Sequence, residues 1–224
     1  MKIKYVVMLI CLFLTAGGVS VLAADGSGLS VGVMAPEIKA INSEGEPFVL
    51  SDAVAQNPIV LIFYRGGWCP YCNVQLQMFE KQIDAFEQRG VEVVAVSVDN
   101  LAEVQKMVEG NSYGVELAQK NPGKYDIEKM GYTFDIVGGM SIETLKEYNA
   151  LHQVDDETNK KYLEWGIDLE ASSGEDHHII AIPATYVIDT DGKIIFAQSN
   201  KDYTVRTMPK EVLMFLDQLE QGDK

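Results

Sequence analysis

Two short apolar runs bracket one amphipathic stretch in the first half of the chain. Pro58 to Arg65 (PIVLIFYR) is nearly all apolar and is bounded by a proline and by Gly66-Gly67, which predicts a buried strand. The period then changes. Leu76, Phe79, Ile83 and Phe86 recur at helical spacing with Gln75, Gln77, Glu80, Lys81 and Asp84 between them. That stretch closes at Arg89-Gly90, a cation followed by a C-cap glycine. VEVVAVSVD (91–99) predicts a second buried strand, completing a βαβ unit.

Further along, Leu101 to Gly110 and Pro122 to Tyr132 read as short helices, the second weakened at its end by Gly131. Residues 138–178 carry a helical stripe (Ile142, Leu145, Tyr148, Leu151) and two polar stretches, DDETNKK and EASSGEDHH. They read as an insertion between a core helix and a core strand, either shaping access to a site or running over the surface without a role. A last helix starts near Pro209 and presents Val212, Phe215, Leu216 and Leu219 on one face. No internal repeat and no phosphate-binding glycine loop is present.

The N-terminus has the three parts of a secretory signal: lysines in MKIKY, the apolar run Val6 to Leu14, and small residues before a cut after Ala23. Cleavage leaves one domain over 31–222 and an exported, periplasmic or secreted, protein. The rival expectation is an uncleaved anchor, because Tyr5 to Ala24 carries no charge. Composition changes the picture in one respect. With 47% hydrophobic and 23% charged residues the chain is globular, and its formal charge of −15 excludes a nucleic-acid surface.

Cleavage would also remove Cys11, leaving the pair in RGGWCPYCN (65–73). A bridge that closes only Pro70 and Tyr71 is a poor staple and a good switch. The pair sits where the strand turns into the helix, and a helix N-terminus stabilises a thiolate. Pro70 suits the first helical turn. The expected arrangement places Cys69 at the exposed edge as nucleophile. Cys72 lies one turn in, ready to resolve a mixed disulfide. Tyr64, Arg65 and Trp68 are further candidates for substrate docking, with Trp68 shielding the site.

The strand–WCPYC–helix arrangement resembles the thioredoxin fold. That resemblance implies an α/β architecture with a central mixed sheet flanked by helices, and a cis-proline facing the cysteines. Pro183, in AIPATYVID (181–189), is the candidate docking residue. VGVMAPEIKAINSEGEPFVLSD (31–52), VAVSVDN, YVIDTDGKIIFA (186–197) and DYTVR (202–206) further resemble the peroxiredoxin-like AhpC/TSA group, in a CxxC-bearing branch. Aligned on the strand ending in FY, that group's peroxidatic cysteine falls on Cys72. Its threonine position holds Cys69, its proline position Arg65, and its catalytic arginine falls on Pro183. The donors that would orient a peroxide are thus replaced by a thiol and a proline.

These substitutions favour thiol–disulfide exchange on a disulfide-bearing protein or small molecule, with Cys69 attacking, Cys72 resolving and Pro183 docking the substrate backbone. The alternative is a thiol peroxidase that reduces hydroperoxides with electrons from a thioredoxin-like or membrane donor. A third reading is Cu(I) binding or transfer by the two thiolates with His177 or His178, whose bland counterpart is an exposed polar loop. Neither redox reading calls for a cofactor or a structural metal.

Overall fold

A computed structural model describes residues 26–222, so the predicted signal segment and Cys11 lie outside the described residues. In chain order the elements are β1 (Lys39–Ile41), β2 (Pro47–Val49), α1 (Leu50–Val54), β3 (Ile59–Phe63), α2 (Pro70–Glu80), α3 (Ile83–Glu87) and β4 (Glu92–Val96). They continue with α4 (Leu101–Val108), α5 (Tyr113–Gln119), β5 (Asp135–Val137), α6 (Ile142–Glu147), β6 (Leu151–Gln153), α7 (Asp156–Glu164) and α8 (Leu169–Ser173). The chain closes with β7 (Ile179–Ala181), β8 (Ala184–Ile188), β9 (Ile194–Ser199) and α9 (Pro209–Gly222).

The central sheet has the order β5-β4-β3-β8-β9. β3 runs parallel to β4 and antiparallel to β8, so the sheet is mixed. β3 lies in its middle and is buried on both faces. Val60 and Ile62 face one apolar cluster with Leu76, Phe79, Val212 and Leu216. Ile59, Leu61 and Phe63 face the other, with Leu50, Leu145 and Tyr148. Strand alternation therefore sends one short apolar run into two cores, with helices covering both.

The amphipathic stretch predicted as one helix is two. The chain breaks at Lys81-Gln82, where Gln82 leaves helical geometry (φ −118°, ψ 12°). The apolar stripe survives the break, since Phe79 and Phe86 stack across it with centroids 5.6 Å apart. The helix expected over 122–132 does not form. Gln77 takes up the backbone there, donating to Glu128 O (2.6 Å) and accepting from Glu128 N (3.0 Å), and Tyr132 N donates to Val108 O (3.2 Å). Donors used in tertiary bonds are unavailable to a helix. A helix forms earlier instead, in α5, after Ser112.

Residues 138–178 hold α6, β6, α7 and α8. Leu151, the last member of the expected stripe, opens β6, which pairs antiparallel with β7. The segment is built into the body, because Leu145 and Tyr148 enter one cluster and Tyr162, Ile167 and Leu169 the other. The expected cis bond at Pro183 is absent: every peptide bond among the described residues is trans. Ile182 N donates to Ala150 O (2.6 Å) and Pro183 O accepts from Asn200 N (3.2 Å), which holds the pair as an extended lead into β8. Proline loses no ladder bond at that position and keeps its lower-energy isomer.

Leu76 is fully buried on the inner face of α2. Leu76→Ala is expected to lower stability by about 2–5 kcal/mol, read as a lower denaturant midpoint with an unchanged slope.

Candidate functional site

β3 delivers the chain to a tight glycine turn. Tyr64 N still donates to Val96 O (3.1 Å), and then Gly66 adopts φ +152°. A Cβ on Gly66 would run into the indole nitrogen of Trp68 and come within 2.9 Å of Asp99 Oδ1. Gly67 N donates to Asp99 Oδ2 (2.8 Å), and Gly67 O accepts from Asn73 Nδ2 (2.9 Å) and Gly114 N (3.0 Å). Asn73 is itself fixed by Ser112 Oγ at 2.8 Å. The turn is therefore clamped by the segment after β4, by α2 and by α5. Burial pushes the Asp99 carboxyl up to about 7, against the bond from Gly67.

Cys69 is the N-cap of α2, Pro70 its first residue, and Cys72 stands at the third helical position. Both thiols are buried, Cys69 at 1% exposure and Cys72 at 0%. Cys69 is thus more enclosed than the sequence predicts. Cys72 Sγ accepts from Arg65 N (3.4 Å) and lies 3.4 Å from Arg206 Nη2, whereas Cys69 Sγ lies 3.8 Å from the same atom. Burial alone would raise the Cys72 thiol. A hydrogen bond from Cys69, the guanidiniums of Arg206 and Arg65, and the Arg65 backbone N–H outweigh it and hold Cys72 at about 5. Cys69 moves the other way: burial, its bond to Cys72 and the Cys72 charge push it well up. The Arg65 N–H and the closer Arg206 guanidinium favour the thiolate on Cys72 over Cys69.

Arg65 shows how the other candidates are used. Its guanidinium lies over the rings of Trp68 (5.0 Å), Tyr162 (5.9 Å) and Tyr203 (4.1 Å) and donates to the Tyr162 hydroxyl. Trp68 is 4% exposed and packs on Tyr162, so it belongs to the core and walls the site at once. Tyr64 is fully buried near Asp99 and Cys72, beneath the site and away from solvent. A cleft of about 410 Å³ opens beside the pair, and Arg65, Trp68 and Cys69 line it. Tyr162, Trp165 and Ile167, from the 138–178 segment, form part of its wall. Pro183 does not reach this cleft. It lines a small cavity with Gln75 and Arg206.

A family model described as AhpC/TSA family matches residues 31–197. The chain belongs to the AhpC/TSA family. Among curated proteins it is 33% identical over 89 residues to peroxiredoxin bcp of Helicobacter pylori, covering 40% of this chain and 58% of that one. To alkyl hydroperoxide reductase C of the same organism it is 26% identical over 122 residues, 53% of this chain and 54% of that one. The chain thus spans little more than half the length of the curated relatives it matches. Among solved structures, a yeast mitochondrial 1-Cys peroxiredoxin aligns with a TM-score of 0.60 at 20% identity, over 87% of this chain and 78% of that one. Peroxidoxin BcpB of Mycobacterium tuberculosis aligns with 0.56 at 15%, over 84% and 97%. At such identities the likeness is one of fold.

Arg206 comes from the loop after β9, shares a cavity with Pro183 and reaches the sulfur across 134 positions of chain. Sequence reasoning missed it as a site residue, although DYTVR, which ends in Arg206, was a signal that could have found it. The two histidines stay apart from the cysteines. His178 Nε2 pairs with Glu170 Oε1 (2.8 Å) and His177 Nδ1 accepts from Ile179 N (2.8 Å). Among the described residues no group of three or more His, Cys, Asp and Glu side chains could hold a metal ion.

A group titrating at about 5 is ionised at all higher pH. The ultraviolet thiolate absorbance of the reduced protein is therefore expected to rise through a midpoint near pH 5 by one thiolate and stay flat to neutrality. Arg206→Gln should move that midpoint up by about a unit or more, because it removes a guanidinium 3.4 Å from the sulfur. Gly66→Ala is expected to lower stability by about 2 kcal/mol or more, since both its φ and its space forbid a methyl group; thermal unfolding checks it.

Proposed function

We propose that this protein is a thiol peroxidase in which Cys72 attacks the hydroperoxide and Cys69 resolves the product. One observation carries the reading: Cys72 Sγ, and not Cys69, receives both the Arg65 N–H and the closer approach of the Arg206 guanidinium. Cys72 thiolate attacks the distal oxygen of ROOH, the O–O bond breaks with the OH passing to sulfur, and the departing alkoxide takes a proton from solvent as ROH. Arg206 and Arg65, the cations that favour the thiolate, would counter the charge that develops on the departing oxygen. Cys72 becomes a sulfenic acid. The Cys69 thiol then attacks that sulfur, water leaves, and a 69–72 disulfide forms. Cys69 and Cys72 sit within one helical turn, already hydrogen-bonded to each other, so the bond needs little movement. An external thiol returns the pair to the dithiol. A thiol at position 69 is a weaker donor than a hydroxyl, which argues for a modest rate.

Thiol–disulfide exchange starting at Cys69 is the second reading. It is favoured by the cleft, which Cys69 lines and Cys72 does not. Against it stand the charge environment, which favours the thiolate on Cys72, and the placement of Pro183 on another cavity. An extracytoplasmic setting, with electrons from a thioredoxin-like, membrane or small-molecule donor, is part of the proposal and rests on the N-terminal signal pattern.

The test is a single turnover with hydrogen peroxide. Cys72→Ser should lose peroxide-driven thiol oxidation by about a hundredfold or more. Cys69→Ser should react once and stop at a Cys72 sulfenic acid, detected by dimedone labelling and mass spectrometry. If Cys69→Ser is the inert variant and Cys72→Ser accumulates the sulfenic acid, the two roles are reversed; if the reduced protein ignores peroxide and exchanges rapidly with oxidised glutathione, the exchange reading takes over.

A further inference from the structure

The cleft beside the cysteines has an unusual lining for an acidic protein. The chain carries a formal charge of −15, yet no Asp or Glu lines the cleft, whose charged members are Arg65 and Lys124. Its walls are aromatic. Tyr71 packs edge-on against Tyr125 (5.2 Å) and Tyr203 (5.6 Å), and Trp165 stands at the mouth, 57% exposed. At about 410 Å³ the cleft is the size of a small-molecule site. The sulfur it presents is that of Cys69. Cys72, the thiol that the peroxidase reading oxidises, is not part of the lining.

We propose that this cleft receives the electron donor, a small thiol bearing a carboxylate, which attacks Cys69 of the 69–72 disulfide. The proposal rests on the peroxidase reading for the origin of that disulfide. The donor thiolate RS⁻ bonds to Cys69 Sγ, the Cys69–Cys72 bond breaks, and its electron pair leaves on Cys72. A second donor thiolate attacks the R sulfur of the mixed disulfide. RSSR departs, and Cys69 takes a proton from solvent. Two donor thiols are oxidised and one protein disulfide is reduced.

Three observations set the direction and the class. The guanidinium of Arg206 lies closer to Cys72 than to Cys69, so Cys72 is the better leaving group. Arg65 and Lys124 attract a carboxylate, and no acid in the lining neutralises them, since the groups that hold them there are aromatic rings and tyrosines. Cys69 is 1% exposed at the base of the cleft, between Trp165 and Tyr203 at its rim. A thiol on a small molecule reaches that sulfur, whereas one carried on a broad protein surface meets the rim first.

The experiment uses the mature full chain, oxidised to the 69–72 disulfide with diamide so that no peroxide step is involved. Reduction is followed by thiol release with glutathione, with its diethyl ester, and with a thioredoxin, at equal thiolate concentrations. Glutathione and its ester present the same thiol with opposite charge around it. Glutathione is expected to be faster than the ester by about five- to tenfold at low salt, the gap closing as salt rises. Lys124→Glu, at an exposed position, should shrink that gap without altering the fold. Glutathione disulfide offered to the reduced variants should form a mixed disulfide with Cys72→Ser and not with Cys69→Ser. Equal rates for the acid and the ester overturn the proposal. So does a thioredoxin outpacing glutathione, or capture at Cys72. Because the disulfide is made chemically, loss of peroxide reactivity would remove the peroxidase reading and leave this result standing.

Discussion

A thiolate sealed from water is unfavourable unless cations and N–H donors surround it. Cys72 meets that condition with the Arg65 backbone N–H, the Arg206 guanidinium, the first turn of α2 and the Cys69 thiol. They come from three parts of the molecule. The turn after β3 supplies Arg65, the loop after the β8–β9 hairpin supplies Arg206, and the start of α2 supplies both its N-terminus and Cys69. The parallel pairing of β3 with β4 then places Asp99 where it can hold Gly67 and so fix the turn. The central sheet is in this sense the frame that keeps one anion in place.

The second cation is managed differently. Arg65 is 6% exposed and is met by rings, not by a carboxylate. A carboxylate there would neutralise the charge and compete with the sulfur for it. Aromatic faces hold a guanidinium by a weaker attraction and leave its charge available. The ring donated by α7, Tyr162, comes from the 138–178 segment. That segment is therefore part of the site's electrostatics as well as of both apolar clusters.

Local patterning made the βαβ unit, the cysteines at its turn and α9 readable in the sequence, because each rests on one periodicity or one glycine; the strand–turn–strand at 186–197 came from the family resemblance. The failures are places where long-range contacts decide. The apolar stripe 76–86 reads as one helix because the stripe survives the break at Lys81-Gln82. Residues 122–132 have helical spacing, but a glutamine side chain from α2 occupies their backbone. The relative roles of Cys69 and Cys72 follow from the position of Arg206, which no local pattern can supply. Pro183 was placed opposite the cysteines by a resemblance to thioredoxin, whereas here a trans proline lies beside Arg206 on a separate cavity.

The loop between β9 and α9 carries two of these parts within four residues: Tyr203 against Arg65 in the cleft wall, and Arg206 against the sulfurs. That span is flanked by the Asp202 side chain accepting from Thr204 N (3.0 Å) and by Thr207 O accepting from buried Gln75 (3.0 Å). Four residues of backbone span at most about 14 Å, too little to let one end move freely of the other. Entry to the cleft and the acidity of the thiol are therefore set by the same short span of chain, and a change in one is mechanically a change in the other.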